Sequence, residues 1–213
     1  MPPILSEAVL QIAIIAWGSL VWDPAELSIT LEFRLSGPQL PVAFSRVSRD
    51  GRLTLVLDEA NGMPSRTYIA PSGRKTLSEA IDNLAARENT TPDNIGFVDR
   101  RSGKHSEVSL QRHPRALAAI QAWAAAAGHD SVIWTALPSN FRETTRRVFS
   151  VAAAMEYLAG LDEAARARAL TYIRKAPREV RSLLRTEVAT RWPDRDDRGA
   201  GAPHVVKGNT SRR

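Results

Sequence analysis

The amino-acid sequence predicts an α+β fold, in which a compact mixed and partly closed β-sheet packs against helices and the last third is helical. Strand-like runs dominate the first two thirds of the 213 residues, whereas helical patterns fill residues 150–192. A hydrophobic content of 43% is enough for one substantial core, and a second full domain is not expected at this length. We therefore predict a single domain over residues 1–192, followed by a disordered basic tail over residues 193–213.

The strongest local signal is an uninterrupted apolar run that leads into a tryptophan, a glycine and a serine. Residues 12–20 predict a buried central strand. Gly18 can adopt backbone conformations that other residues avoid, so a ligand can approach the main chain there. The amide groups of Gly18, Ser19 and Leu20 would then point into one concavity and bind an anion or an oxyanion. The plainer alternative is a strand that ends in a glycine turn.

Further strands are predicted by alternation and by short apolar runs between turn signals. Residues 28–36 alternate apolar and polar side chains, as in a half-exposed strand. Asp50-Gly51 is typical of a tight hairpin turn. The other predicted strands are residues 40–47, 53–57, 66–70, 95–98 and 131–137.

Helices are predicted by capping residues and by apolar spacing. Thr76 and Glu79 form a capping-box pair ahead of an apolar face at helical spacing. An alanine-rich helix is predicted from Pro114 at its first turn to Gly128 just after its end. Three more helices are predicted over residues 151–158, 163–175 and 178–192.

Composition and motifs exclude several classes of protein. There is no cysteine, so a disulfide framework and a thiolate site are excluded. No apolar run approaches the length of a membrane span, and the first residues do not resemble an export signal, so we expect a cytoplasmic protein without a membrane partner. There is no nucleotide-binding loop of the Walker or dinucleotide type. Ser19 lacks a convincing set of histidine and aspartate partners for a hydrolytic triad.

No metal or cofactor is expected. The histidines show no metal-ligand spacing and are interpreted as loop or surface residues; they are His105, His113, His129 and His204. The net charge of +6 and the pI of about 10.3 permit attraction to anionic partners.

The segment Trp17-Gly18-Ser19-Leu20 resembles the Tyr-Gly-Ser-Leu or Tyr-Gly-Ser-Asn signature of the γ-glutamylcyclotransferase-like superfamily. Later segments resemble the superfamily in the same order, and together they span residues 12–180. The resemblance implies a compact barrel with packed helices. It also implies an enzyme of the lyase or transferase type that releases 5-oxoproline from a small γ-glutamyl substrate, whose own α-amine attacks its γ-carbonyl.

Glu88 is the residue expected to be catalytic. It follows Leu84-Ala85-Ala86-Arg87 at the end of a predicted helix, similar to the setting of the superfamily's catalytic glutamate. The resemblance implies that this carboxylate takes a proton from the substrate ammonium and returns one to the leaving amine. The negative field at a helix C-terminus would raise its pKa, which suits a base. The alternative is a solvated surface charge paired with Arg87 or with a nearby basic residue.

Further residues are expected to bind substrate. The resemblance implies that the loop of Trp17, Gly18, Ser19 and Leu20 holds the γ-glutamyl portion. Arg46 lies in a segment that resembles an Arg-x-Phe segment of relatives and would clamp a carboxylate, unless it forms a surface pair. Tyr172 lies in a segment similar to Tyr-Ile-x-x-Ala-Pro and would direct its hydroxyl into the pocket, unless it only packs. Asn140 follows a predicted strand and offers a donor and an acceptor, unless it stabilises a turn.

Two departures from the superfamily pattern support other functions. Trp17 replaces the usual tyrosine and removes a hydroxyl, and Asn89 stands where glycine is common. They support a non-catalytic member of the same fold that binds a metabolite or a protein. A further alternative is nucleic-acid binding through residues 164–191, which contain eight basic and two acidic residues. Solvated helix faces would explain the same charges.

Overall fold

The computed structural model describes residues 11–194, which form strands and helices in an α+β arrangement. The strands are β1 (Ile12–Ala16), β2 (Gln39–Val47), β3 (Leu53–Leu57), β4 (Met63–Arg66), β5 (Tyr68–Pro71), β6 (Ile95–Asp99), β7 (Lys104–His105) and β8 (Ser131–Thr135). The helices are α1 (Leu77–Arg87), α2 (Glu107–Arg112), α3 (Pro114–Ala127), α4 (Phe141–Thr145), α5 (Val151–Gly160), α6 (Glu163–Lys175) and α7 (Leu183–Arg191). The predicted α+β class and the helical last third are confirmed. No helix within residues 11–194 is long and apolar enough to cross a membrane.

The strands form two sheets. The larger has the order β5-β1-β8-β6-β7, and the smaller has the order β3-β2-β4. Strand β1 pairs antiparallel with β5 and parallel with β8, so the larger sheet is mixed, as predicted. The strand order of neither sheet returns to its first strand, so within residues 11–194 the sheets are not closed into a barrel.

Strand β1 separates two hydrophobic clusters because its side chains alternate between the two faces of the sheet. Ala13 and Ile15 join the larger cluster, which includes residues of β2, β3 and the C-terminal helices. Ile12 and Ile14 join the smaller cluster, which includes the buried face of α1. All five residues of β1 are buried. The strand therefore lies at the centre of the molecule, and the loop after it is held from both sides.

Helix ends follow the predicted capping signals. Thr76 and Glu79 form both hydrogen bonds of the capping box. Gly128 ends α3 with a φ of +77°, in the left-handed conformation that favours glycine. The Ser150 and Asp162 side chains accept hydrogen bonds from the backbone at the starts of α5 and α6. The predictions at Thr76, Glu79 and Gly128 are confirmed, because each depends on local chemistry alone.

The predictions differ from the structure where pairing depends on distant residues. Residues 28–36 form only two isolated bridges, Ile29 with Ser72 and Arg34 with Ile69, instead of a strand. Residues 66–70 are divided between β4 and β5, which belong to different sheets. The chain changes sheets at Thr67, whose hydroxyl donates to the Pro38 carbonyl over 2.6 Å.

Other predicted ends of strands and helices also differ from those in the structure. The first strand ends at Ala16, and residues 19–21 form a single 3₁₀ turn. The last helix begins at Leu183 instead of residue 178, and the short helices α2 and α4 were not predicted. Most of the predicted tail, residues 195–213, lies outside the described residues.

Candidate functional site

A cavity of about 500 Å³ lies where the end of β1, the β2–β3 hairpin and the C-terminal end of α1 meet. Its walls come from segments within residues 15–20, 46–56 and 87–94, and from Tyr172 of α6. A volume of this size suits a small-molecule ligand. Among the residues expected to act on substrate, the cavity brings together Trp17, Gly18, Ser19, Leu20, Arg46, Glu88 and Tyr172.

Glu88 occupies the C-cap position of α1 and lines this cavity. Its side chain is 19% exposed, and its Oε1 lies 3.1 Å from Nη1 of Arg87. Burial raises the pKa of Glu88 and outweighs the opposing effect of the Arg87 charge. Glu88 is therefore paired with Arg87, but it lines a cavity and is largely buried instead of being a solvated surface charge.

The chain turns sharply just after Glu88. Asn89 has a φ of +50°, which lies in the left-handed region. The amide of Asn89 donates to the Ala86 carbonyl over 3.1 Å, and the amide of Thr90 donates to the Ala85 carbonyl over 3.0 Å. This is a Schellman motif, which holds the last turn of the helix. Asparagine is one of the few residues besides glycine that tolerate this conformation, so Asn89 meets the backbone requirement that explains glycine at such a position.

Arg87 links the end of α1 to Asp23 and Pro24, which follow the glycine loop (residues 17–20). Its Nε donates to the Pro24 carbonyl over 3.1 Å, and its Nη2 donates to the Asp23 carbonyl over 2.5 Å. The guanidinium therefore holds Glu88 and the chain after the loop together. The position of Glu88 relative to the loop is fixed by these bonds.

The glycine loop lines the cavity. The Val21 amide donates to the Gly18 carbonyl over 3.0 Å, which closes the 3₁₀ turn. Within residues 11–194, the amides of Gly18 and Leu20 have no hydrogen-bond partner. Trp17 is buried, and its indole Nε1 lies 3.4 Å from the Leu55 carbonyl to which it donates. The polar atom of Trp17 is therefore used within the fold.

Tyr172 connects α6 to the same loop. Its hydroxyl accepts a hydrogen bond from the Leu55 amide over 3.4 Å, and burial raises its pKa to about 12. A Cβ added to Gly18 would lie 3.0 Å from this hydroxyl. Glycine at position 18 thus permits the close approach of the phenol to the loop. The hydroxyl is buried at the cavity wall.

Arg46 and Asn140 have different placements. Arg46 is partly buried, lines the cavity, and donates from Nη1 to the Pro138 carbonyl over 2.8 Å. Asn140 does not line the cavity. Its side chain accepts from the Val47 amide over 2.7 Å and donates to the Val47 carbonyl over 3.0 Å. Asn140 therefore fastens the end of β2, and no substrate contact is assigned to it.

The β2–β3 hairpin adds charged residues that the sequence interpretation did not include. Arg49, Asp50 and Arg52 line the cavity beside Arg46. The available signal was the density of arginines around the predicted Asp50-Gly51 turn. A hairpin can be predicted from that turn, but which surface it faces depends on the packing of the sheet.

The basic residues of the C-terminal helices are partly used within the fold. Arg166, Arg174 and Arg185 each donate to backbone carbonyls at helix ends. Within residues 11–194, no group of three or more histidine, aspartate or glutamate side chains could hold a metal ion, and His204 lies outside that range.

The chain was compared with protein-family models, curated proteins and solved structures. No family model, curated protein or solved structure matches it.

Proposed function

We propose that the protein is a γ-glutamylcyclotransferase-like enzyme that releases 5-oxoproline from a γ-glutamyl compound, with Glu88 as the acid–base residue. The observation that carries the proposal is the placement of Glu88. This carboxylate lines a ligand-sized cavity beside the glycine loop, and burial raises its pKa. A raised pKa brings a carboxyl group closer to the range in which it can both accept and return a proton.

The reaction moves two protons, one after the other, from the substrate α-nitrogen through Glu88 to the leaving nitrogen. The ionised carboxylate takes a proton from the substrate α-ammonium, and the freed amine attacks the γ-carbonyl carbon. A carbon–nitrogen bond forms and closes the five-membered ring, while negative charge develops on the carbonyl oxygen. Protonated Glu88 then gives its proton to the leaving nitrogen as the original amide bond breaks. The ionised carboxylate then takes the second proton from the ring nitrogen and passes it to the departing amine, so that the products are 5-oxoproline and an ammonium ion, and Glu88 is ionised again. General acid–base catalysis of this kind contributes about 10²- to 10⁴-fold.

The glycine loop supplies donors for the developing oxyanion. The free amides of Gly18 and Leu20 border the cavity that Glu88 also lines. Backbone donors held in a fixed turn stabilise such charge well, because they need no reorganisation during the reaction. Tyr172 supports the loop through its contact with Gly18.

We also propose that the two sheets together form a barrel-like arrangement. The protein is further proposed to be cytoplasmic. In support of the barrel-like arrangement, β1 of the larger sheet and both β2 and β3 of the smaller sheet contribute to one hydrophobic cluster.

The test is the release of 5-oxoproline from a panel of γ-glutamyl amino acids, peptides and amines. We expect the wild-type protein to be active on at least one compound and Glu88→Gln to lose about 10²- to 10⁴-fold in kcat/KM. Glu143→Gln is a matched control, because Glu143 is exposed on α4 and does not line the cavity. Equal activity of Glu88→Gln and wild type would remove Glu88 from the reaction.

A second candidate is a non-catalytic metabolite-binding protein with the same cavity. The observation that favours it is Trp17, whose polar atom is used by the Leu55 carbonyl where a tyrosine would offer a hydroxyl. In that case the folded wild-type protein would release no 5-oxoproline from the panel, yet calorimetry would detect binding of a panel compound.

A further inference from the structure

A second and smaller cleft of about 70 Å³ lies where β2, β4 and the start of α7 meet. Its buried lining includes Val42, Ala43 and Phe44 of β2, and none of its lining residues also lines the larger cavity. One water needs about 10–15 Å³ of such a cavity, so the cleft has the volume of about five waters, which is close to that of one apolar side chain. The cleft therefore suits a single anchoring side chain of another molecule.

Exposed apolar side chains gather at this cleft. Five large hydrophobic residues are exposed within residues 11–194, and three of them lie in or next to the cleft. Met63 and Leu183 line it and are 37% and 63% exposed. Val148 is 72% exposed and directly precedes Phe149, which also lines the cleft. Single exposed apolar residues are ordinary on a protein surface, but a group of them beside an apolar cleft marks an interaction site.

The cleft and the segment before it carry positive charge. Arg181 lines the cleft and is exposed, and no aspartate or glutamate lines it. Residues 142–147 directly precede the exposed valine and contain three arginines and one glutamate. Arg147 pairs with Glu156, whereas Arg146 and Arg181 form no ion pair in the described part of the chain. This surface is therefore complementary to a partner with acidic side chains.

The cleft favours a side chain over an added strand or a lipid surface. Strand β4 lies at the edge of its sheet, but the chain before α7 lies against it, since the Arg181 amide donates to the Ser65 hydroxyl over 3.0 Å. Val180 and Leu184 are buried on either side of this contact, so the segment is fixed in the core. An anionic membrane would also attract arginines and apolar side chains, but it offers no fixed side chain that fills a concave cleft.

We propose that this cleft is a docking site for an acidic segment of a partner protein. The segment inserts one large apolar side chain beside Met63 and Leu183, and it places carboxylates beside Arg146 and Arg181. An apolar anchor in a small pocket, surrounded by charged contacts, is the arrangement in which a few residues supply most of the binding energy of an interface. The docking site shares no lining residue with the larger cavity, so this inference does not depend on the proposed reaction.

The test selects short peptides from a random displayed library on the whole wild-type chain and measures the selected peptides, made synthetically, by fluorescence anisotropy. We expect the selected peptides to share one large apolar residue flanked by aspartate or glutamate. Leu183→Glu should raise their Kd about 10- to 100-fold, because it removes an apolar contact and repels the acidic flanks. Arg181→Glu should raise Kd about 3- to 30-fold, because it reverses the charge that faces those flanks.

Matched control variants separate docking from folding and from net charge. Leu110→Glu and Arg74→Glu make the same changes at exposed positions that do not line the cleft, and they should leave Kd unchanged. Leu183 is the first residue of α7, where a glutamate is favourable for the helix, so Leu183→Glu should fold. Thermal melting followed by circular dichroism checks each variant. If Leu183→Glu misfolds, the exposed Arg181→Glu still tests the prediction.

Each contrary result overturns the proposal in a distinct way. If no selected peptide binds with a Kd below about 1 mM, the cleft is not a docking site for an acidic segment. Peptides that bind Leu183→Glu as tightly as wild type bind elsewhere. Sedimentation with phosphatidylserine vesicles that Leu183→Glu abolishes, and with which no selected peptide competes, would assign the surface to a membrane. Dimerisation in analytical ultracentrifugation that Leu183→Glu abolishes would assign it to a second copy of the chain.

Discussion

Two walls of the cavity each place a carboxylate beside an arginine, but the pKa values of the two carboxylates shift in opposite directions. On the hairpin, Asp50 lies 2.7 Å from Arg52 and is followed by Gly51, which has a φ of +81°. At the end of α1, Glu88 lies 3.1 Å from Arg87 and is followed by Asn89, which has a φ of +50°. The pKa of Asp50 is lowered, and the pKa of Glu88 is raised.

The difference arises from exposure and from the number of donors. Burial raises the pKa of both groups, but the Asp50 side chain is 41% exposed, whereas the Glu88 side chain is 19% exposed. Asp50 also accepts a 2.5 Å hydrogen bond from the Ser48 hydroxyl, which together with Arg52 outweighs its burial. An adjacent arginine therefore does not decide the pKa of a carboxylate. The Glu88 wall is suited to proton transfer, and the Asp50 wall is suited to holding a fixed charge.

The largest expected effect is on catalysis. Glu88→Gln should lower kcat/KM for 5-oxoproline release by about 10²- to 10⁴-fold, because it removes the group that accepts the proton. Asp50→Asn should lower kcat/KM by less than about tenfold, because a solvent-exposed ion pair such as that of Asp50 with Arg52 contributes about 1 kcal/mol or less. The measurement is 5-oxoproline release by the two variants on the same γ-glutamyl compound. A greater loss of kcat/KM in Asp50→Asn than in Glu88→Gln would contradict the assignment of proton transfer to Glu88.

The second-largest effect is expected on the free energy of unfolding, through the turn after Glu88. Asn89→Val should reduce the free energy of unfolding by about 1–3 kcal/mol, because a β-branched residue is strained at positive φ. Asn89→Gly should change it by less than about 1 kcal/mol, since glycine accepts this conformation freely. Urea denaturation measures both values. Equal stability of the valine and glycine variants would mean that the Schellman turn does not constrain the end of α1.

The sequence predicts those parts of the contrast between Asp50 and Glu88 that depend on neighbouring residues. The Asp50-Gly51 turn and the Thr76 capping box depend on neighbouring residues, and both were predicted. Glu88 was selected through the resemblance and through its position at a helix end. Its burial was not predictable, because it depends on how segments that are distant in the sequence come together around the cavity.

Asn140 illustrates the opposite case. Its position after a predicted strand was consistent with a binding residue, but in the fold both of its polar atoms are taken by Val47, which lies 93 positions away in the sequence. That Arg46 and Arg49 form no ion pair within residues 11–194 has the same kind of origin. Which arginines find acidic partners is decided by packing between distant segments, and a single sequence contains no direct signal for it.

A smaller effect is expected from the turn after Asp50. Gly51→Ala should reduce the free energy of unfolding by about 1 kcal/mol, because Gly51 has a positive φ but has room for a methyl group, with the nearest atom 3.5 Å away. Activity should change little, since Asp50 has no role in proton transfer. Urea denaturation together with the 5-oxoproline assay checks both statements. A large loss of activity at unchanged stability would contradict this prediction, because it would show that the hairpin turn helps to position the substrate.

The smallest effect is a pair of opposite pH dependences of stability. Folded Glu88 binds its proton more tightly than the unfolded chain does, so the wild type should lose stability relative to Glu88→Gln as pH rises from the unfolded pKa, about 4.3, through the raised folded pKa. Folded Asp50 binds its proton less tightly. Its stabilising contribution is present above the unfolded pKa, about 3.9, and it is lost as pH falls through the lowered folded pKa.

Urea unfolding of the wild type, Glu88→Gln and Asp50→Asn measures both slopes, at pH values from about 2 to about 8 that bracket the unfolded carboxyl pKa values of about 4. The Asp50 contribution should be about 0.2–1 kcal/mol, since the pair is exposed and screened by salt. Slopes of the same sign would mean that burial does not distinguish the two carboxylates. Opposite slopes would establish that one cavity holds one carboxyl group prepared to exchange a proton and another prepared to remain charged.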